Sequence, residues 1–232
     1  MRCLLLSLLL LCSISVQASC VILLHGLART SSSMEALESS LLKEGFTPIN
    51  NGYPSRKHPI AVLSELAIIP ALKQCPKELT VNFVTHSLGG ILVRQYLSKH
   101  TIDNLGRVVM LGPPNKGSEV VDKLHDTPGF HFINGDAGLQ LGTGALSIPN
   151  TLGNANFDVG IVAGTRSINW ILSSLIPGTD DGKVSLANTK LDGMNDHIAM
   201  QVTHPFMMKN KKVIAQVINY LKKGSFMHEQ NQ

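Results

Sequence analysis

The stretch from Val81 to Gly90, V-N-F-V-T-H-S-L-G-G, limits what this chain can fold into more than any other part of it. A short apolar run enters a tight turn at Ser87. Ile91, Leu92, Val93, Tyr96 and Leu97 then recur at helical spacing. A buried strand that feeds a helix through a turn with serine at its apex has the arrangement of a nucleophile elbow. Such a turn is strained, so the neighbours of the serine must be small. Gly89 meets that need. Thr85 stands where G-x-S-x-G has its first glycine, which is a departure from the pattern. The same ten residues also admit a plainer reading, a βα loop whose serine caps the helix.

Strand-length apolar runs and helical patterns alternate along the rest of the chain. Val21–Leu24 is continuous, as expected of a strand covered on both faces. Met34, Leu37, Leu41 and Leu42 share one helical face, and Ser32 with Glu35 has capping-box spacing at its start. Phe46–Ile49 is a short strand that Pro48 places near an edge. Pro59 opens a helix to about Lys73, with a kink or break expected at Pro70. Leu79–Val84, Val108–Leu111, Asp158–Ala163 and His197–Val202 are further strands, and a short helix is expected over Glu119–His125. Residues 126–156 are glycine-rich with little periodicity and read as a loop or small cap. Ser167–Ile176 is apolar and holds the only tryptophan, Trp170; it reads as a packed helix or as an exposed apolar surface. Val213, Ile214, Val217, Ile218 and Leu221 mark a closing helix that ends at Gly224, with residues 225–232 as a polar tail. The alternation predicts an α/β fold, a mostly parallel sheet of about six strands with helices on both faces. With 232 residues, 44% hydrophobic and 16% charged, the chain can bury one sizeable core and is not disordered.

Residues 1–18 stand apart from that fold. A basic start at Arg2, a leucine-rich run from Cys3 to Cys12 and small residues at Val16 and Ala18 have the form of a secretory signal peptide cleaved before Ser19. The run is too short to span a bilayer comfortably. Lipid attachment at Cys20 is the alternative, but Gln17 does not suit it and Cys20 adjoins the first strand without a linker. The expected product is one domain over residues 19–224, periplasmic or secreted. Removing the leader leaves Cys20 and Cys75, and two cysteines in an exported protein suggest one disulfide. The formal charge is +4, without a basic stripe interleaved with aromatics, which argues against a nucleic-acid partner. A monomer is expected.

Residues suited to acyl-transfer chemistry fall after successive strands. A serine hydroxyl needs a base to take its proton, and the base needs an orienting acid. In open α/β sheets the ligand site lies beyond the C-terminal strand ends. Ser87, the pair Asp180 and Asp181, and His204 all lie there, in the order serine, acid, histidine. His197 competes with His204, but it begins its strand at the end away from the site. Backbone N–H groups must also face the oxygen that becomes negative, a contribution of about 3 kcal/mol per donor. Leu88 supplies one from the elbow. Leu27 supplies the other, where Gly26 lets the loop after the first strand come close and His25 buttresses it. His86 is expected to point away from the substrate. Neither H-E-x-x-H, C-x-x-C nor a carboxylate cluster calls for a metal, and no cofactor is expected; a calcium ion held by loop carbonyls would leave no such signature.

In their order, V-I-L-L-H-G-L, T-H-S-L-G-G, L-G-P-P-N-K-G-S, D-D-G-K-V-S and T-H-P-F resemble the signatures of small bacterial lipases and esterases of the α/β-hydrolase fold. The resemblance covers nearly all of the chain after the leader. It implies a minimal α/β-hydrolase with Ser87 as nucleophile, Asp181 rather than Asp180 as acid and His204 as base. It implies oxyanion donors at Leu27 and Leu88, and it sets Val21–Leu24 beside the elbow strand, which favours a Cys20–Cys75 bridge. The activity it implies is hydrolysis of carboxylic esters, of small-molecule or lipid type, with peripheral contact to a lipid surface. Acyl transfer with the same residues is the rival within catalysis. A non-catalytic secreted binding protein on a hydrolase scaffold is the rival outside it.

Overall fold

Six strands alternate with helices across residues 19–228, which the computed structural model describes. Strand β1 (Cys20–Leu24) leads through a 3-10 turn (Ser31–Met34) into α1 (Glu35–Lys43), followed by β2 (Thr47–Ile49), α2 (Ile60–Leu72), β3 (Val81–His86) and α3 (Leu88–Leu97). Strand β4 (Leu105–Leu111) precedes α4 (Glu119–Leu124), α5 (Phe130–Leu139) and α6 (Ile148–Thr151). Strand β5 (Val159–Gly164) precedes α7 (Trp170–Ser173) and α8 (Leu186–Thr189). Last come β6 (Asp196–Met200), a 3-10 segment (His204–Lys209) and α9 (Lys211–Lys223). The strands form one sheet in the order β2-β1-β3-β4-β5-β6, and every pairing is parallel. The leader expected over residues 1–18 and the end of the tail lie outside the described residues.

Strict alternation in the central strands explains the two-sided core. Cys20, Ile22 and Leu24 of β1, Phe83 of β3 and Met110 of β4 pack with Leu63 and Ile68 of α2 and Ile91 and Leu92 of α3. Val21 and Leu23, Val84, and Val109 and Leu111 face the other way, against Leu37 and Leu41 of α1 and Val213 and Val217 of α9. Strands buried on both faces need apolar residues at every position, which is why they read as unbroken runs. Cys20 and Cys75 are bonded, with Cα atoms 5.7 Å apart. Cys20 lies opposite Val81, so the bond ties the start of β1 to the segment that enters β3.

Several local expectations are corrected. The capping box does not form: the first turn is 3-10, and Ser32 Oγ pairs with Thr30 Oγ1 at 2.8 Å. Leu42 faces solvent. Pro70 does not break α2, which continues past it to Leu72. Residues 126–156 contain α5 and α6. Gly135 interrupts α5 at φ +64, where the backbone of Arg56 leaves no room for a side chain. Ser167–Ile176 is not a packed helix: α7 is a single turn, and Ile168, Trp170 and Ile171 are exposed. Past Gly224 the chain is not a free tail as far as His228. Phe226 is buried, its N–H donates to Asp196 Oδ2 at 2.7 Å, and Met227 bonds to Gln216 through both backbone groups.

Candidate active site

The chain runs from β1 outward to β2 and then returns to place β3 on the other side of β1. The crevice at such a reversal, beyond the C-terminal ends of the strands, is where open α/β sheets bind ligands. The loop after β1 and the turn after β3 both open onto it. Ser87 occupies that turn with φ +52 and ψ −119. A serine held there costs about 1–3 kcal/mol, which the surrounding structure must impose. Its side chain makes no capping hydrogen bond to α3, which removes the plainer reading of Ser87 as a helix cap. Gly89 is required because a Cβ there would come 2.7 Å from the Leu24 carbonyl oxygen. Thr85 is accommodated by the second glycine of the motif: its Oγ1 lies 3.3 Å from where a Cβ of Gly90 would stand.

Asp181 and His204 form a buried pair, with Nδ1 2.7 Å from Oδ2. The other carboxylate oxygen accepts from the N–H groups of Lys183, at 3.0 Å, and Val184, at 2.9 Å. The backbone joins the same two residues, since His204 N–H donates to the Asp181 carbonyl at 2.9 Å. With Nδ1 donating to the carboxylate, Nε2 is left as the basic nitrogen. Asp180 does other work: its Oδ1 accepts from Ser173 Oγ and from Gly182 N–H, closing the turn. His197 sits on edge strand β6 with Nε2 against Thr189 Oγ1 at 3.0 Å, outside the crevice. Ser87 and His204 line one cavity, and among the described residues no hydrogen bond joins their side chains.

On the other side of Ser87, a Cβ on Gly26 would lie 3.2 Å from the serine Cβ and 2.7 Å from His86 Nδ1. Only glycine lets this loop pass so close. Among the described residues the backbone N–H groups of Leu27 and Leu88 have no hydrogen-bond partner; that of Leu88 is one of the free donors at the start of α3. His25 shapes the loop. It stacks on Tyr53 with ring centroids 4.0 Å apart. Its Nδ1 donates to the Gly26 carbonyl at 2.9 Å and its Nε2 accepts from Tyr53 N–H at 3.3 Å, which fixes a neutral tautomer. Burial pushes its pKa below the usual histidine value, partly offset by these backbone bonds. The Tyr53 hydroxyl donates to the His25 carbonyl.

Three further residues belong to this framework and were not singled out from the sequence. Gly112, at the end of β4, has φ +55; a Cβ there would meet Asp181 Oδ2 at 3.0 Å and His204 Nδ1 at 3.1 Å. Tyr53 is the second. The third is Arg94 on α3, which is buried and donates to the carbonyls of Asn115, Pro149 and Gly153 at 2.8–2.9 Å, tying the elbow helix to the loops beside it. Burial lowers its pKa to about 10. His86 does not simply point away: it is among the residues that line the cavity, and its Nε2 donates to the His204 carbonyl at 3.0 Å, latching the histidine loop to β3. Burial, and then the proximity of His204, hold its pKa well below the usual value.

The cavity that gathers Leu27, Ser87, Asp181 and His204 has a volume of about 350 Å³. Val120 and Val121 of α4, Phe130 and Ile133 of α5, and Leu141 make one wall; Ile168 and Leu172 approach from the α7 segment. At these lining residues or next to them in sequence, the α5 and α7 segments expose Phe132, Ile133, Ile168, Trp170 and Ile171. Among the described residues no three His, Cys, Asp or Glu side chains gather to hold an ion, and no helix is long and apolar enough to cross a membrane.

A six-stranded parallel sheet with a strained serine between β3 and α3, and an acid–histidine pair across the crevice, defines the α/β-hydrolase fold in a minimal form. No protein-family model and no curated protein matches the sequence. Solved structures do match. The mature form of a lipase from Bacillus licheniformis is similar with a TM-score of 0.67 at 19% identity, over 89% of this chain and 93% of that one. A metagenomic carboxyl esterase gives 0.63 at 16% identity, over 82% of this chain and 65% of its own. An esterase from Exiguobacterium antarcticum gives 0.60 at 16% identity, over 89% and 93%.

Proposed function

We propose that this protein is an exported serine hydrolase of carboxylic acyl esters. The observation that carries the reading is the Asp181–His204 pair, bonded at 2.7 Å, in the same cavity as a serine held at positive φ. In this reading Ser87 Oγ attacks the acyl carbon and His204 Nε2 takes its proton. Asp181 holds the ring through Nδ1 and stabilises the imidazolium that forms. The N–H groups of Leu27 and Leu88 receive the developing oxyanion, and losing one such donor costs about 3 kcal/mol. The imidazolium then protonates the departing alcohol. A water molecule, activated by the same nitrogen, releases the acyl group from Ser87.

The apolar wall from α4 and α5 suits a hydrocarbon acyl chain, and the exposed aromatic and aliphatic residues of the α5 and α7 segments suit contact with a lipid surface. The esterase and lipase names of the structural neighbours agree with this class of substrate. Export rests on the leader-like residues 1–18, and the Cys20–Cys75 bond fits an oxidising compartment. The mature domain would begin at Ser19. The test is hydrolysis of p-nitrophenyl esters over a series of acyl lengths by the wild type, Ser87→Ala, Asp181→Asn and His204→Ala. Loss of turnover in Ser87→Ala and His204→Ala is expected. Full activity in His204→Ala with loss in His197→Ala would move the base to β6.

A further inference from the structure

The chemistry of Ser87 leaves two cavity residues unused. Arg29 lies two positions after Leu27, on the loop that follows β1. Lys183 lies two positions after Asp181. Both line the cavity; Arg29 is half-buried, and Lys183 is exposed over much of its side chain while its ammonium is partly desolvated. Neither forms an ion pair nor donates a side-chain hydrogen bond among the described residues. The one carboxylate in the lining, Asp181, is already taken up by His204 and two backbone N–H groups.

The backbone at each cation is held in place. Next to Arg29, Ala28 sits at φ +54 with its N–H donating to Ser55 Oγ at 3.1 Å. The Lys183 N–H is bound to Asp181 Oδ1, and its carbonyl accepts from Ser118 Oγ at 2.7 Å. Two like charges therefore converge on one crevice from separate fixed loops. Desolvation lowers the pKa of Lys183, Asp181 opposes that shift, and the charge of Arg29 adds a smaller lowering. With the Asp181 carboxylate bound to His204 and two backbone N–H groups, the two cations leave the crevice with an excess of positive charge, and such clefts concentrate ligands of the opposite sign.

We propose that Arg29 and Lys183 form an anion subsite beside Ser87, and that the substrate is an acyl ester whose alcohol portion carries a negative group of phosphate type. The apolar wall takes the acyl chain, so the cations are left to the other side of the ester. This assignment of substrate class rests on the ester-hydrolase reading. The subsite itself can be tested without turnover.

The experiment is calorimetric titration of the full-length Ser87→Ala protein with three probes: dodecyl phosphate below its micellar concentration, 1-O-dodecylglycerol, and inorganic phosphate. Dodecyl phosphate should bind about tenfold tighter than the neutral ligand, as expected for charge-assisted hydrogen bonds at a half-exposed site. Adding Arg29→Gln and Lys183→Gln should abolish that preference, and Arg29→Lys in place of Arg29→Gln should restore part of it. Equal affinity for the phosphate and the neutral ligand in the parent would overturn the subsite. So would a preference that survives both substitutions. Inorganic phosphate binding as tightly as dodecyl phosphate would overturn the substrate class and leave a site for the free anion. With Ser87 intact, kcat/KM for a monoacylglycerol phosphate should exceed that for the uncharged monoacylglycerol by a similar factor. Absence of turnover on either, with the binding preference intact, would count against ester hydrolysis and not against the subsite.

Discussion

Replacing Gly112 by alanine isolates what the Asp181–His204 geometry is worth. At φ +55 an alanine costs about 1–2 kcal/mol more than glycine. Its Cβ would also stand 3.0 Å from Asp181 Oδ2, 3.1 Å from His204 Nδ1 and 3.1 Å from Met207 Sδ. Each contact is a few tenths of an ångström tighter than carbon tolerates, so the pair must shift. Productive geometry is held to about 0.5 Å, and a misplacement of about 1 Å costs on the order of a hundredfold. A shift of a few tenths therefore predicts a loss of about tenfold in kcat/KM, or about 1.4 kcal/mol of transition-state stabilisation. Gly45→Ala is the control. Its φ is +84 and nothing lies within 4 Å of its Cβ, so it carries the backbone penalty without the crowding. Both variants are to be compared by urea denaturation and by initial rates on one p-nitrophenyl ester. Gly112→Ala should lose stability and rate, and Gly45→Ala stability alone. Equal retention of activity in both would refute the inference that the reaction runs through this pair.

Stability should fall as pH drops below about 6.5, where unfolded histidines begin to bind protons. His25 and His86 are buried with lowered pKa values, so the folded state resists protonation while the unfolded state does not. Each contributes a loss of up to about 1.4 kcal/mol per pH unit. Urea midpoints at pH 7.5 and 5.5 measure this, and His86→Asn should flatten the dependence. The Cys20–Cys75 bond closes a separation of 55 residues, which in the chain-entropy model is worth about 4 kcal/mol. The double serine variant should unfold at correspondingly lower denaturant, and a loss under about 1 kcal/mol would contradict that model here. Tyr53→Phe leaves the buried His25 carbonyl without its donor, at a cost of about 1–3 kcal/mol. It should also lower kcat more than it raises KM, because the loop it supports carries the Leu27 N–H.

The sheet could be read in the sequence because its central strands are buried on both faces, and their composition alone marks them. The serine turn was legible for a similar reason: Ser87 and Gly89 are local. Asp181 and Asp180 are neighbours with different partners, Asp181 bonding to His204 and Asp180 to Ser173 and Gly182, and spacing alone carries no sign of that difference. Thr85 looked like a defect until Gly90 was seen to make room for it. Helix α5 was missed because its glycines deny it propensity; Ala137, a residue of the helix itself that is buried in the core, shows that packing holds it. The docked segment after Gly224 was missed because its one apolar anchor, Phe226, stands in a polar run. Gly112, Tyr53 and Arg94 act on groups far away in the chain; Gly112 stands in the L-G-P-P-N-K-G-S signature, but a single sequence does not name the partners of any of the three.

Covalent labelling of Ser87 tests the central claim most directly. The protein is treated with an alkyl fluorophosphonate, which reports an activated serine, and the adduct is located by peptide mass spectrometry. One equivalent on Ser87, none on Ser87→Ala, and labelling slowed by at least a hundredfold in His204→Ala is the predicted result. An adduct elsewhere, or undiminished labelling without His204, would contradict it.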